Sequence, residues 1–279
     1  MYKAAIVAGI VTAGLLAAGC GGGSGGGSSA VSGEQATAIT HSSASTGDVS
    51  LVAHLIADAT TGTTITPSCP VTTHNGSVTE FNFGMGCSSP VTGGSVVAGQ
   101  IFINTDARYV VFSGFSVNGR AITGEIDFET QNGGATVILT FKQFAIAGVG
   151  AFSGTVKDTF VHVNVPGHDV TTADVLDSPA VAGGQPMVVT PASGSIAPCP
   201  PATSESYVIS LDQVKVDAEL NGNLVPMAGT VGIAFDSEIA GACRATSIAL
   251  AFNASSPSSK SAQATIDGAK TVTVSFTGK

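Results

Sequence analysis

The acidic residues Glu125, Asp127 and Glu129 are the first candidates for chemistry, because they alternate along one stretch of the chain. In a β-strand, alternate side chains project from the same face. Two carboxylates that face a common groove can hydrolyse a glycoside when they lie about 5–9.5 Å apart. Ile126 and Phe128 alternate with the acids, which is typical of a half-buried strand with a solvated outer face. We therefore expect a solvated face here and predict no catalytic residue.

The histidines are the second candidates, as ligands of a metal ion. His168-Asp169 lies close in sequence to Asp174 and Asp177, and His162 lies in a predicted strand. Imidazole and carboxylate groups can together bind a transition metal, but polar loops of this composition are usually only solvated. Phosphate-binding, dinucleotide-binding and calcium-binding motifs do not occur in the chain. The prediction is that the protein has no metal site and no cofactor.

Four of the five cysteines predict disulfide bonds. Cys69, Cys87, Cys199 and Cys243 form an even set in a chain that carries an export signal, and such sets are typical of oxidising compartments. The nearest-neighbour pairing would close loops of about 18 and 44 residues, which contribute roughly 3 and 4 kcal/mol on the chain-entropy model. A zinc site is disfavoured, because no C-x-x-C pair occurs. Three pairings are available, and the connectivity stays open.

The first twenty residues predict a removable signal peptide that ends at a lipidated cysteine. Lys3 precedes an apolar run over residues 4–18, which is too short to span a bilayer comfortably. The segment Leu16-Ala17-Ala18-Gly19-Cys20 resembles the lipobox of bacterial lipoproteins, which are cleaved before a cysteine that carries lipid. Two acyl chains suffice for stable anchoring. We predict a signal peptide over residues 1–19, lipidation at Cys20 and a Gly/Ser-rich tether over residues 20–46.

The composition predicts short strands and tight turns. Only 10% of the 279 residues are charged, 36 are glycine, and the formal net charge is −9. A nucleic-acid partner is excluded, because binding to phosphates needs a basic surface. With 43% hydrophobic residues, the body is also too apolar for intrinsic disorder.

The pattern of apolar residues predicts one short helix followed by an antiparallel meander in a body over residues 47–279. Val52, Leu55, Ile56 and Ala59 have helical spacing, with Asp48 as the expected N-cap and Gly62 as the expected stop. Period-two alternation then predicts strands over residues 78–83, 96–103, 109–117, 122–128, 136–144, 152–165, 207–220, 230–235, 247–252 and 271–276. Expected hairpin turns lie at Asn75-Gly76, Asn118-Gly119, Asn132-Gly133, Asn221-Gly222 and Asp267-Gly268.

The predicted fold is therefore all-β, a sandwich or a strongly curved sheet. A hairpin unit recurs loosely, with a glycine where each returning strand begins or kinks. The stretch over residues 166–201 holds seven prolines and little alternation. We expect it to be an excursion within one β body, with a sub-boundary between two domains left open as the alternative.

Short motifs in the body resemble a group of secreted bacterial lipoproteins that are mostly uncharacterised. The motifs are the segment from Cys69 to Cys87, which ends in Phe83-Gly84-Met85-Gly86-Cys87, the strand Gly99-Gln100-Ile101-Phe102-Ile103, and the hairpin at Asn118-Gly119. Asn82 and Arg244 stand where that group often has aspartate. The resemblance implies a β-rich exported body and no particular chemistry.

These features predict a membrane-anchored, non-catalytic module of the bacterial envelope or cell surface, with an envelope protein or a polysaccharide as its partner. Gly21 after the lipidated cysteine resembles lipoproteins sorted to the outer membrane, should the host be Gram-negative. A body at the surface and a body facing the periplasm are both compatible with the sequence. The alternatives are a carrier of a small apolar ligand and a surface polysaccharide hydrolase.

Overall fold

The body is one antiparallel sheet with a helix against its buried face. A computed structural model describes residues 48–61, 69–88, 96–163, 171–192, 206–217, 226–235, 247–259 and 261–275. Within these ranges, sixteen strands join a single hydrogen-bonded sheet. The predicted all-β class and the predicted helix at the start of the body are both confirmed.

The helix α1 covers residues 48–61, and a four-residue helix, α2, covers Ser256–Ser259. The strands are β1 Val71–Asn75, β2 Val78–Cys87, β3 Val97–Asn104, β4 Tyr109–Val117, β5 Arg120–Thr123, β6 Glu125–Gln131, β7 Thr136–Phe141, β8 Ala145–Ile146, β9 Gly150–Val163, β10 Thr171–Ser178, β11 Met187–Pro191, β12 Tyr207–Asp217, β13 Ala228–Phe235, β14 Ser247–Phe252, β15 Ser261–Ile266 and β16 Lys270–Ser275.

The strand order is a meander. In three places two consecutive strands lie end to end at the same position in the sheet, separated by a kink or a loop, and we call such a pair one lane. The pairs are β5 with β6, β7 with β8 and β10 with β11. When each pair counts as one lane, every lane pairs antiparallel with the next one in the chain. This topology follows from short connections, because strands that are joined by tight turns must be antiparallel neighbours.

The hairpin turns agree with the sequence in one place and differ by a residue in another. Asn118 and Gly119 form the two-residue turn between β4 and β5, with φ of 50° and 77°. At the first hairpin, by contrast, Asn75 still pairs with Val78 as part of β1. The turn there is Gly76-Ser77, so the predicted turn at Asn75-Gly76 is wrong by one residue. A glycine at the first turn position is itself a favoured hairpin geometry, which explains the shift.

The predicted glycine kinks are present in the sheet. Gly124 separates β5 from β6 at φ +102°, and a Cβ there would overlap the carbonyl oxygen of Gln143 in the neighbouring lane. Gly229 near the start of β13 has φ +91° and meets the carbonyl of Gln213 in the same way. Both positions need glycine twice over, for the backbone angle and for the close approach of a neighbouring strand.

One hydrophobic core runs along the sheet and includes α1. Buried residues of strands from β2 to β16 belong to a single cluster, together with six apolar residues of the helix and Ala59 at its edge: Val49, Leu51, Val52, Ala53, Leu55, Ile56. A single sheet can enclose one core only by curving around it, since a flat sheet would expose its ends. This supports the strongly curved form rather than two stacked sheets.

Five strands escaped the sequence pattern, among them β8, which has only two residues and follows the predicted strand over residues 136–144. β1 is short and polar and lacks the apolar alternation that marks a half-buried strand. β15 does alternate, but its first two buried residues are Ala262 and Ala264, and alanine is a weak strand former. β10 and β11 lie in the proline-rich stretch 166–201 and pair with β9 on one side and β12 on the other. The described part of that stretch therefore joins the strands before and after it into one sheet.

Candidate functional site: a polar cluster under the helix

A set of polar side chains lies between α1 and the strands β9 and β10. Ser50 and His54, one helical turn apart on α1, both contact Asp174 of β10. The Ser50 hydroxyl donates to Oδ2 of Asp174 at 2.5 Å, and Nε2 of His54 lies 2.8 Å from Oδ1. All three side chains are buried. The two oxygens of one carboxylate thus tie the helix to the sheet.

Asp158 of β9 adds a second carboxyl group to the same cluster. It is completely buried, and neither of its oxygens has a hydrogen-bond partner among the described residues. Burial and then the charge of Asp174 raise the pKa of Asp158 well above its ordinary value. An ionised carboxylate without a partner is too costly to bury, so the folded protein holds Asp158 as the neutral acid. We call Ser50, His54, Asp158 and Asp174 the interior polar cluster.

The surroundings of His54 favour its charged form. Burial by itself would lower its pKa, but the charge of Asp174, the hydrogen bond to Asp174 and the charge of Asp58 outweigh burial, and the pKa is raised. Burial raises the pKa of Asp58 to about 6, although the charge of His54 opposes this. The imidazole ring also packs on Phe160 of β9, with ring centroids 4.3 Å apart.

A separate ion pair holds the first turn of α1. Nη2 of Arg120, at the start of β5, donates to both carboxylate oxygens of Asp48, at 3.1 and 2.9 Å. Burial raises the pKa of Asp48 to about 7, although the Arg120 guanidinium acts to lower it. Asp48 is already helical, and its carboxylate contacts β5. The N-cap that we predicted at this residue is displaced by a tertiary contact.

The cluster contains Ser, His and Asp, but not in the order of a hydrolytic triad. In a triad the imidazole lies between the hydroxyl and the acid and takes the proton of the hydroxyl. Here the acid lies between the other two, and Ser50 gives its hydrogen bond to the carboxylate. Such an arrangement binds protons and fixes the helix. Among the described residues, no group of three or more His, Cys, Asp or Glu side chains is arranged to hold a metal ion.

Of the four cysteines predicted to form disulfides, the described residues include two. Cys69 and Cys87 form a disulfide between the segment before β1 and the end of β2, with Cα atoms 6.2 Å apart. This pair belongs to the nearest-neighbour connectivity. Cys199 and Cys243 lie outside the described residues, as does the predicted lipidation site Cys20.

Within the described residues, the structure does not bring the acidic residues of β6 together with the other carboxylates and histidines that we considered as site residues. Ile126 and Phe128 are buried while the acids between them are half-buried or exposed, which confirms the predicted alternation on β6. Asp127 forms an ion pair with Lys142 at 2.6 Å. Asp177, one of the carboxylates considered for a metal site, pairs with Lys157 and Gln213, away from the contacts that Asp174 makes with the helix. His41 and His168 lie outside the described residues.

The sequence contained a signal for the interior polar cluster that we did not use. Ser50, His54 and Asp58 recur every four residues, which puts a polar stripe on one face of a helix that is otherwise apolar. Asp158 likewise lies two residues after the buried Val156 in its strand, so the two side chains project from the same face of the sheet. Only the fold shows that the stripe and the inward acids meet.

No protein-family model, no curated protein and no solved structure matches the chain. In the part of the chain that the structure describes, no helix has the length and apolar character to cross a membrane.

Proposed function

We propose that this protein is a lipoprotein, anchored through Cys20, whose β body is a non-catalytic interaction or structural module of the bacterial envelope. The observation that carries the proposal is the inward placement of its reactive groups. Ser50, His54 and Asp174 are each less than 10% exposed and bind one another beneath α1. Groups placed in this way stabilise a scaffold and leave recognition to the outer face of the sheet.

The outer face supports the same proposal. Small polar residues interact across its strands, such as Gln263 with Thr273 between β15 and β16 and Gln100 with Glu80 between β2 and β3. Cross-strand contacts of this kind stabilise an exposed sheet while offering hydrogen-bonding groups to a partner. The partner we propose is an envelope protein or a polysaccharide.

Two alternatives have a stated structural requirement. A carrier of an apolar ligand would need space where α1 now packs into the core, so the ligand would have to displace the helix. A polysaccharide hydrolase would have to use Glu125 or Asp127 on the outer face, of which Asp127 is held by Lys142. Lipid extracted from freshly isolated protein would favour the carrier, and activity lost in Glu125→Gln would favour the hydrolase.

The test combines anchoring and topology. Cells that express the full chain or its Cys20→Ser variant are fed a labelled fatty acid, fractionated, and treated with protease before and after lysis. We expect label and membrane association only with Cys20. Digestion in intact cells would put the body on the surface, and protection until lysis would put it in the periplasm.

Partner recovery completes the test. Cross-linking in each compartment, followed by purification across a range of salt concentrations, should recover a specific envelope component. An unlabelled chain that fractionates with the medium, or a body that recovers no component at any salt concentration, would contradict the proposal.

A further inference from the structure

The helix α1 is held in the sheet by side chains. The six apolar residues of its first turns are at most 1% exposed. Polar contacts between α1 and the strands include those from Asp48 to Arg120 and from Ser50 and His54 to Asp174, and all of these are made by side chains. The strands, in contrast, are joined to one another by backbone ladders, for example seven residue pairs between β9 and β10. Helix and sheet are therefore retained by different kinds of interaction.

We propose that α1 is a proton-held latch, which stays docked while the interior polar cluster is protonated and leaves the sheet when the cluster loses its protons. The proposal goes beyond the module described above, because it assigns a conformational change to a stated element and a stated trigger.

The geometry requires protons for docking. With Asp158 neutral and His54 charged, the imidazolium lies 2.8 Å from Oδ1 of Asp174, and Asp158 adds no charge to the interface. Removing the proton of Asp158 creates a second buried anion near Asp174, with no donor among the described residues to receive it. Removing the proton of His54 takes away the cation that neutralises Asp174. Both losses leave uncompensated charge beneath α1, which is strongly destabilising.

The groups that face this interface act mostly in one direction, with Asp48 as the exception, because its ionised form pairs with Arg120. From α1 these are Asp48, His54 and Asp58, and the docked state raises the pKa of each. β9 contributes Asp158, whose pKa is also raised, and β10 contributes Asp174. β5 contributes Arg120, which pairs with Asp48. The turn at Asn132–Gly134, which lies near Thr61, contributes no charge. The side chain of His162 on β9 lies outside the described part.

The sign of the effect follows from these directions. A group with a raised folded pKa binds its proton more tightly in the docked state, and this stabilisation is lost as the pH rises through the folded value. The pKa of about 6 for Asp58, whose charge acts on His54, places part of the loss between pH 5 and pH 8. β3 and β4 contribute none of these groups, so we do not expect them to share this dependence.

Release would also lengthen the connection to the membrane. α1 follows the predicted tether in the chain, so an undocked helix would let the body move farther from Cys20. This consequence rests on the proposed function, whereas the release itself does not.

Amide hydrogen exchange followed by mass spectrometry tests the latch directly. The full chain in mild detergent is labelled at pH 5, 6.5 and 8, with labelling times corrected for the intrinsic exchange rate. Peptides that cover residues 49–60 are compared with peptides from β3 and β4 in the same sample. We expect the protection of α1 to fall about tenfold or more between pH 5 and pH 8, which corresponds to one pKa unit of linkage, while β3 and β4 stay protected. The loss should reverse when the sample returns to pH 5.

The variant Asp158→Asn supplies the second measurement, because an amide of the same shape needs no proton to be neutral. It should retain more protection of α1 at pH 8 than the parent chain. Asp212→Asn, an exposed position on β12, is the matched control and should respond to pH like the parent. Equal protection of α1 at all pH values, or parallel loss in α1 and the sheet, would overturn the proposal, and the parent chain decides this even if Asp158→Asn fails to fold. Failed lipid labelling at Cys20 would overturn the anchoring and leave the latch intact.

Discussion

The substitution Asp58→Asn should change the stability of the protein by an amount that depends on pH. Burial raises the pKa of Asp58 from 3.8 to about 6. One pKa unit corresponds to about 1.4 kcal/mol, so at pH 8 the ionised carboxylate destabilises the folded state by roughly 3 kcal/mol relative to the unfolded chain. At pH 4 the folded protein holds Asp58 neutral, and the difference is much smaller. Asparagine keeps the shape and removes the charge.

We therefore expect Asp58→Asn to be stabilising at pH 8, by up to about 3 kcal/mol, and close to neutral at pH 4. The pKa of about 6 already includes the attraction between the Asp58 carboxylate and His54, which acts to lower it. Denaturant unfolding of the parent and the variant at intervals of half a pH unit measures the difference. Asp212→Asn, at an exposed position, is the control and should run parallel to the parent. A difference that is constant with pH, or larger at pH 4 than at pH 8, would refute the linkage.

Three further outcomes follow from the same structure. Gly124→Ala should destabilise the protein by about 3 kcal/mol or more, because the new methyl group would meet the carbonyl of Gln143. Gly119→Ala, where the methyl group would have open space, should cost about 1 kcal/mol. Thermal unfolding of the two variants measures the difference. Replacing Cys69 and Cys87 together with alanine should cost about 3 kcal/mol, the value for a loop of 18 residues, as measured by denaturant unfolding without reductant. The parent chain should be more stable at pH 5 than at pH 8, and calorimetry that shows the reverse order would contradict the raised pKa values under α1.

Much of the fold was predictable, because local rules govern it. Period-two alternation marked the long half-buried strands, such as β4 and β6, and Asn118-Gly119 marked a turn whose geometry few other residue pairs can adopt. β1 escaped because its side chains carry no apolar alternation, and β15 escaped because the small side chains of Ala262 and Ala264 make its alternation a weak signal. The shift of the first turn to Gly76-Ser77 escaped for a similar reason, since either residue pair can close a hairpin and the register decides between them.

The candidate site was less accessible to sequence reasoning than the fold. Ser50, His54 and Asp58 were visible as a stripe on a predicted helix, but a stripe of that kind is equally typical of a solvated face. Asp174 lies 120 residues from His54 in the chain, and no local pattern relates them. Their pairing depends on which strand of the sheet passes beneath the helix.

The sequence by itself determined the local properties of this protein. These are the helix at the start of the body, the long half-buried strands and the glycine kinks, and each depends on residues close in the chain. The signal peptide and the lipidation of Cys20 stay predictions. The tertiary structure decided the curvature of the sheet, the burial of α1 and the meeting of His54 with Asp158 and Asp174. Curvature arises from the summed twist and packing of many strands, and the pKa of a buried acid depends on what surrounds it in space, so neither can be read from a single segment.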